Sequence, residues 1–425
     1  MSKLTSLVIM AVIFYTLVGC AQESLPVKTP PNPVITTDDE IRESINLLGN
    51  DNYETRENAT KKLLRINEPA LAMLKKTENE TTDIEIKTRC QYLIYKIELD
   101  VMVRRYKVIY VSKDDDRQIW SMDILGGDKK LITKNGMWLS VSPDAKNIAF
   151  VTPEGLLSSS NLCVMRLDGS GARALDKIAA NHRPQWSADS GKIAYCMEKG
   201  DSFYLSYTTI PEDKITKITL PPDKWHLSPF RPIFNSDGTA LIYIRGRNIN
   251  ICNLAGGDER VLIEDGHYPI ISPDGKWLAF VLFPQENNGY GQLWISEPDG
   301  KNPKMLIKRF NQMLGGNSEK AFAWSPDSTM IASWKDGKLF TVNINGEVIN
   351  YKQTLDIRGN CLQPIRWSPD GKFIIFTCST QPTTKNGATW LYNDLYVISL
   401  DGTFFRNITE SDNRDCLDGC IVVNE

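Results

Sequence analysis

The chain has 425 residues, of which 41% are hydrophobic and 24% charged, and its formal net charge is −3. That length allows two or three domains, and so weak an acidic excess argues against a nucleic-acid partner, which would need a basic face. After the N-terminal leader no apolar run is long enough to span a bilayer.

Lys3 gives the leader a positive start, and Leu4 to Leu17 are nearly all apolar or small. This is the h-region of a secretory signal, too short and wrongly flanked for an ordinary membrane span. It ends in Leu17-Val18-Gly19-Cys20, which resembles a bacterial lipobox. The resemblance implies cleavage before Cys20, a diacylglyceryl thioether on its sulfur, and a mature chain hung from a membrane. Two or more acyl chains, at about 0.8 kcal/mol per buried methylene, make such an anchor stable. The alternative is a plain signal peptide with a chance cysteine. An aspartate after the cysteine would favour retention at the inner membrane, so Ala21 points to the outer one. Residues 1–19 are therefore read as the leader and 20–36 as a tether. Pro26, Pro30, Pro31 and Pro33 stiffen the tether, which at about 3.1 Å per residue reaches roughly 40–50 Å.

Residues 37–104 read as helical. Asp38 and Asp39 favour a helix start, and Ile41, Ile45 and Leu48 follow at helical spacing. Gly49 to Asn52 interrupts, and Thr55 to Ile66 carries Ala59, Leu63 and Ile66 on one face. Pro69 restarts a short helix through Leu74, and a longer one from about Asp83 shows Ile86, Cys90, Leu93, Ile94, Ile97 and Val101 on one face. This segment resembles a HEAT-type helical pair, which implies either a small protein-docking surface or a cap that seals the edge of the next domain.

From residue 105 to the end the chain repeats. PIRWSPDGKFIIFTC, YPIISPDGKWLAFVL, FAWSPDSTMIASW and RPQWSADSGKIAYC are the clearest units, with weaker ones at LSVSPDAKNIAFV and RPIFNSDGTALIYI. The turn aspartates Asp144, Asp189, Asp237, Asp274, Asp327 and Asp370 are spaced by 45, 48, 37, 53 and 43 residues, a propeller-blade period. Within a unit, a strand ends at a bulky residue (Trp186, Phe234, Ile271, Trp324 or Trp367) and a tight turn follows. Proline presets φ in that turn, aspartate bonds its own backbone, and glycine supplies positive φ where present. Three further strands complete an antiparallel blade, and one blade cannot bury both its faces, so blades stack around an axis. Six units are complete. A seventh, at 106–134, lacks a first strand, and the tail CLDGCIVVNE has strand character with nothing else to pair with. The expectation is a mainly β, seven-bladed propeller whose tail supplies the missing inner strand; six blades is the alternative.

The WSPDGK…IAF…LYVISLDG pattern resembles the TolB-like (WD40-like PDG) propeller repeat, which also occurs in protease gating domains and in oligogalacturonate lyases. The resemblance implies the fold and leaves activity open, because one fold hosts several functions. The SPDG aspartates build turns and are not read as a catalytic site.

No G-x-S-x-G elbow, HExxH or P-loop pattern occurs. No catalytic residue and no cofactor is assigned. The three histidines, His182, His226 and His267, precede the first strands of three consecutive blades. First strands line a propeller's axis, so His182, Arg183, Arg231, His267 and Tyr268 form a candidate mouth for an envelope protein or peptide. The competing reading is a metal-dependent lyase or hydrolase acting on an acidic polysaccharide in the channel, although no acidic partner matches the histidines. The connections Phe283 to Gly291 and Ser379 to Thr389 are further candidate contact loops. Of nine cysteines, Cys416 and Cys420 flank Gly419 closely enough to suggest a small disulfide loop, whereas Cys163, Cys196, Cys252 and Cys378 read as buried thiols. No spacing resembles a zinc knuckle or a redox CxxC.

Overall fold

In a computed structural model of the chain, the described residues are 37–113, 117–154, 159–179, 183–199, 202–218, 220, 229–284, 290–309, 322–335, 338–350, 363–379, 383–385, 388–390, 393–409 and 416–423. The lipobox and tether lie outside them. Two compact units divide at Leu99 and Asp100.

The first unit is helical, with helices α1 (Asp38–Asn46), α2 (Tyr53–Ile66), α3 (Leu71–Glu80) and α4 (Ile84–Arg105), the last turn of α4 belonging to the second unit. Local capping sets the starts. Thr37 Oγ1 accepts from the Glu40 N–H, Asn52 Oδ1 from Thr55, and Asp83 Oδ1 from both Glu85 and Ile86. Each cap satisfies amides that have no intrahelical acceptor. Ile41, Ile45, Leu48, Leu63, Leu74, Leu93 and Ile97 form its buried interior. Arg89 donates to Glu57, Thr60 and Glu85 and so ties α4 to α2. Among the described residues no helix is long and apolar enough to cross a membrane.

The second unit is a ring of seven four-stranded antiparallel sheets, counted here as blades one to seven in chain order. Blades two to seven each run from inner to outer strand in chain order. Their inner strands are Met137–Val141, Gln185–Trp186, Pro229–Phe234, Gly266–Ile271, Phe322–Trp324 and Gln363–Trp367. Blade one is the exception. Its Tyr106–Ser112, Gln118–Asp123 and Lys130–Thr133 strands are joined on the inside by Cys416–Val423, which pairs antiparallel with Tyr106–Ser112. The seven-bladed ring closed by its own tail is thus present, and the six-bladed alternative is not. Every junction between neighbouring blades, including seven to one, holds an apolar cluster.

The repeat motif explains this geometry. In five blades the turn serine (Ser142, Ser187, Ser272, Ser325, Ser368) donates to the aspartate two residues on. The same hydroxyl accepts an amide five residues on, as Phe373 N–H to Ser368 Oγ at 2.9 Å. The aspartate in turn accepts the amide two residues on, within the turn, so the turn's polar groups are satisfied internally. The bulky residue before the turn acts between blades. The indole N–H of Trp186 donates to the Ser140 carbonyl at 2.9 Å, that of Trp324 to Ile270 at 3.2 Å and that of Trp367 to Ala323 at 3.1 Å. Each bond ties an inner strand to the inner strand of the preceding blade.

Two cysteine expectations are corrected. Neither Cys416 nor Cys420 is disulfide-bonded. They lie in one extended strand, about 13 Å apart at ~3.3 Å per residue, whereas a disulfide needs Cα atoms within roughly 7 Å. Cys416 packs in the junction of blades seven and one, and Cys420 in that of blades one and two. Cys378 is disulfide-bonded, not a thiol, and its partner lies outside the described residues. Cys163, Cys196 and Cys252 are buried free thiols, as read, and burial pushes the Cys196 thiol up to about 12.

Closure has a close-approach requirement. A Cβ on Gly419 would stand 2.9 Å from Leu395 Cδ2 and 3.3 Å from Ile375 Cδ1, both in blade seven. Gly419→Val should therefore lower the unfolding midpoint, by the ~1–3 kcal/mol typical of overpacking, and Ile421→Ala by ~2–5 kcal/mol, both read by urea denaturation. Acid should weaken the ring as well. The Ser187 hydroxyl and Gly191 N–H hold the Asp189 carboxyl below its usual range, and Ser399 and Thr403 do the same for Asp401. A depressed folded pKa gives stability that is present above about pH 4 and is lost as pH falls through the lower folded values. Thermal midpoints measured down a pH series should therefore drop below about pH 4.

Candidate functional site

Residues in a strand alternate faces. Counting back from the bulky residue that packs between blades, the positions one and three earlier turn to the axis. Among the cavity-lining residues, position minus three holds Arg183, Arg231 and Tyr268, and position minus one holds Gln185, Ile233, Ile270, Ala323 and Arg366. All seven inner strands contribute to the wall of one axial cavity of about 570 Å³. Most of that wall is aliphatic or aromatic. Among its described lining residues the charged side chains are Arg183, Arg231 and Arg366, with no carboxylate and no lysine.

A bulge recurs in the inner strands. The register slips between Met137 and Ser140, Phe230 and Ile233, His267 and Ile270, and Gln363 and Arg366. Pro232 and Pro269 sit in two of these slips, where no ladder donor is needed. The first bulged residue takes a left-handed backbone in three blades: Trp138 at φ 53°, Arg231 at 55° and Tyr268 at 56°. Such conformations are uncommon for bulky side chains and cost of order 1 kcal/mol or more each. Arg231 and Tyr268 line the axial cavity, whereas Trp138 packs against the apolar cluster between blades two and three. The Arg231 guanidinium lies 4.8 Å from the centre of the Tyr268 ring, and Arg183 lies 5.7 Å from that of Trp138.

The arginines differ in what they do. Arg183 is 3% exposed and donates to Asp418, itself 4% exposed, and to the Leu139 carbonyl at 2.9 Å. Arg366 donates to both Asp418 oxygens, at 3.1 and 3.0 Å. One carboxylate on the closing strand thus gathers guanidiniums from blades three and seven. Arg183, a candidate mouth residue, lines the cavity with its guanidinium bonded to Asp418 and the Leu139 carbonyl. Arg366 keeps a buried Nε–H with no acceptor among the described residues. Arg231 has no ion-pair partner among the described residues, and it lines the cavity with one face on Tyr268.

Of the remaining candidates, His182 and His226 lie outside the described residues. His267 opens the inner strand of blade five but is not part of the cavity wall. It packs edge-on to Phe283 at 5.3 Å and tilted against Tyr268 at 6.1 Å. Burial, with Arg247 and Arg231 adding to it, holds its imidazole below the ordinary histidine range. Among the described residues no three histidine, cysteine, aspartate or glutamate side chains group as metal ligands would. Asp418 and Arg366 were missed in the sequence. The alternation rule finds Arg366 one before Trp367, and placing the tail on the axis brings Asp418 with it. The Ser379 to Thr389 connection carries a small hairpin, Thr383–Lys385 with Ala388–Trp390.

No protein-family model matches the chain. The curated Escherichia coli (strain K12) protein YidR, described as uncharacterized, is 22% identical over 108 residues, which are 25% of this chain and 24% of that one. The chain therefore spans about a quarter of the length of that relative. Among solved structures it is similar to TolB from Acinetobacter baumannii, at 15% identity and TM-score 0.44, covering 63% of this chain and 70% of that one. It is also similar to an oligogalacturonate lyase from Vibrio parahaemolyticus, at 12% identity and TM-score 0.47, covering 64% and 83%.

Asp418→Asn should strand two guanidiniums without a counter-charge and cost ~3–5 kcal/mol, the price of breaking a buried pair, measured by urea unfolding. His267 should titrate below pH 6.5 in an NMR pH series. Because its folded pKa is depressed, its neutral form favours the fold, and stability should decline as pH falls below about 6.5 towards the lower folded value.

Proposed function

We propose that this propeller is a non-enzymatic recognition scaffold of the bacterial envelope. It is lipid-anchored through Cys20 on the periplasmic side of the outer membrane, and it receives a segment of an envelope protein in its axial channel. The observation that carries this reading is the composition of the channel wall. Aliphatic and aromatic side chains from seven blades enclose about 570 Å³, within the ordinary size range of ligand sites. Strained bulge residues hold the polar anchors in fixed positions, and strain of that kind accumulates where geometry serves function. The motif aspartates that dominate the sequence are bonded within their own turns and have no such role.

The second reading, a metal-dependent lyase or hydrolase for an acidic polysaccharide, finds support in the cationic wall, which suits an anionic substrate. The same wall weighs against the metal. Three guanidiniums repel a divalent cation, and neither a carboxylate nor an imidazole lines the described cavity to attract one.

A photo-crosslinking residue at Gln185, on the channel wall, should capture an envelope protein in intact cells. The same residue at Ile215, on the outer strand of blade three, should not. Cys20→Ala should move the protein from the membrane to the soluble fraction. Manganese- or calcium-dependent cleavage of polygalacturonate by the purified full chain would replace the scaffold with the lyase.

A further inference from the structure

We infer that the segment received by the channel is acidic, and that Arg231 binds its carboxylate. This rests on the scaffold reading above and adds the ligand's chemistry.

Among its described lining residues the channel wall presents three guanidiniums and no acid. Arg183 and Arg366 both donate to Asp418. Arg231 has no ion-pair partner among the described residues, in a wall that is mostly apolar. Arg231 is the group placed to meet a ligand. It has no ion pair among the described residues, and its planar fork is braced from one side by the Tyr268 ring at 4.8 Å. The strained backbone at both residues, φ 55° and 56°, holds that stack against the axis. A guanidinium stacked on an aromatic face keeps its in-plane N–H donors free for a bidentate carboxylate.

The wall also separates two sources of carboxylate. A uronic-acid sugar carries several hydroxyls, each needing a hydrogen-bond partner once water is excluded. The serines that line the cavity are already engaged, Ser142 with Asp144 and Ser368 with Asp370. Ile233, Ile270, Phe322, Ile365 and Ile421 offer apolar contact instead. A peptide with one acidic residue among apolar neighbours matches both features.

The test uses the purified full chain and two matched pools of fluorescent hexapeptides. One pool fixes glutamate among randomised apolar residues, and the other fixes glutamine at the same place. Fluorescence anisotropy should show the glutamate pool binding roughly tenfold tighter, in line with a charge-assisted bidentate contact. Arg231→Gln should abolish that preference, while Arg231→Lys should retain part of it. Both variants should stay folded, with thermal midpoints near the wild-type value, since Arg231 joins no ion pair among the described residues and gives up only its stack on Tyr268. Equal affinity for the two pools, with binding lost when Gln185→Trp fills the channel, would overturn the acidic ligand and leave the peptide scaffold standing. Failure of both pools to bind would overturn both. Trigalacturonate displacing the glutamate pool at comparable concentration would assign the carboxylate to a sugar and overturn the peptide.

Discussion

A ring of sheets has no stable partial form with both faces of every blade covered, so the pairing of Cys416–Val423 with Tyr106–Ser112 governs everything else. Without it, blade one would expose the inner edge of Tyr106–Ser112, and the apolar junctions on both sides of blade one would lose Cys416, Cys420, Ile421 and Val422. Open strand edges and bare apolar faces invite association with other chains. The closing strand removes that liability and places Asp418 on the axis, where guanidiniums from blades three and seven meet it. Removing this strand therefore does more than remove one edge, because it also takes away the carboxylate that Arg183 and Arg366 share.

The most conspicuous residues and the most consequential ones are different sets. Serine and aspartate in the turns saturate one another's hydrogen bonds, and tryptophans before the turns bond to the preceding blade. The serine–aspartate pair recurs in five blades and the tryptophan bond in three. Recognition requires a position that the fold leaves unconstrained, and the bulge three residues before the packing position is one. It holds tryptophan, arginine and tyrosine in blades two, four and five. In blades four and five the bulged residue lines the cavity, while Trp138 of blade two packs in a junction between blades.

The helical unit shows the same separation of roles on a smaller scale. Caps at Thr37, Asn52 and Asp83 and the Arg89 bonds fix its helices. Its outward surface keeps Tyr53, Tyr92 and Ile84 exposed. Tyr53 and Tyr92 each carry a nearby cation, Arg56 and Lys96.

What the sequence determined by itself was everything that local chemistry controls. The turn motif, the alternation of strands and the 37-to-53-residue period gave blades, and a unit lacking its first strand beside an unpartnered tail gave the closure. Helical spacing and capping residues gave the N-terminal unit. Only the tertiary structure decided which side chains meet across the axis. Arg183 and Asp418 are 235 residues apart, and nothing near either predicts that they share a buried bond. The same holds for the cysteines. Proximity in sequence suggested pairing Cys416 with Cys420, but an extended strand carries neighbours apart, while the Cys378 bridge lay hidden in an apolar run. An extended strand separates residues four apart by more than a disulfide can span, and that follows from the backbone conformation and not from sequence distance.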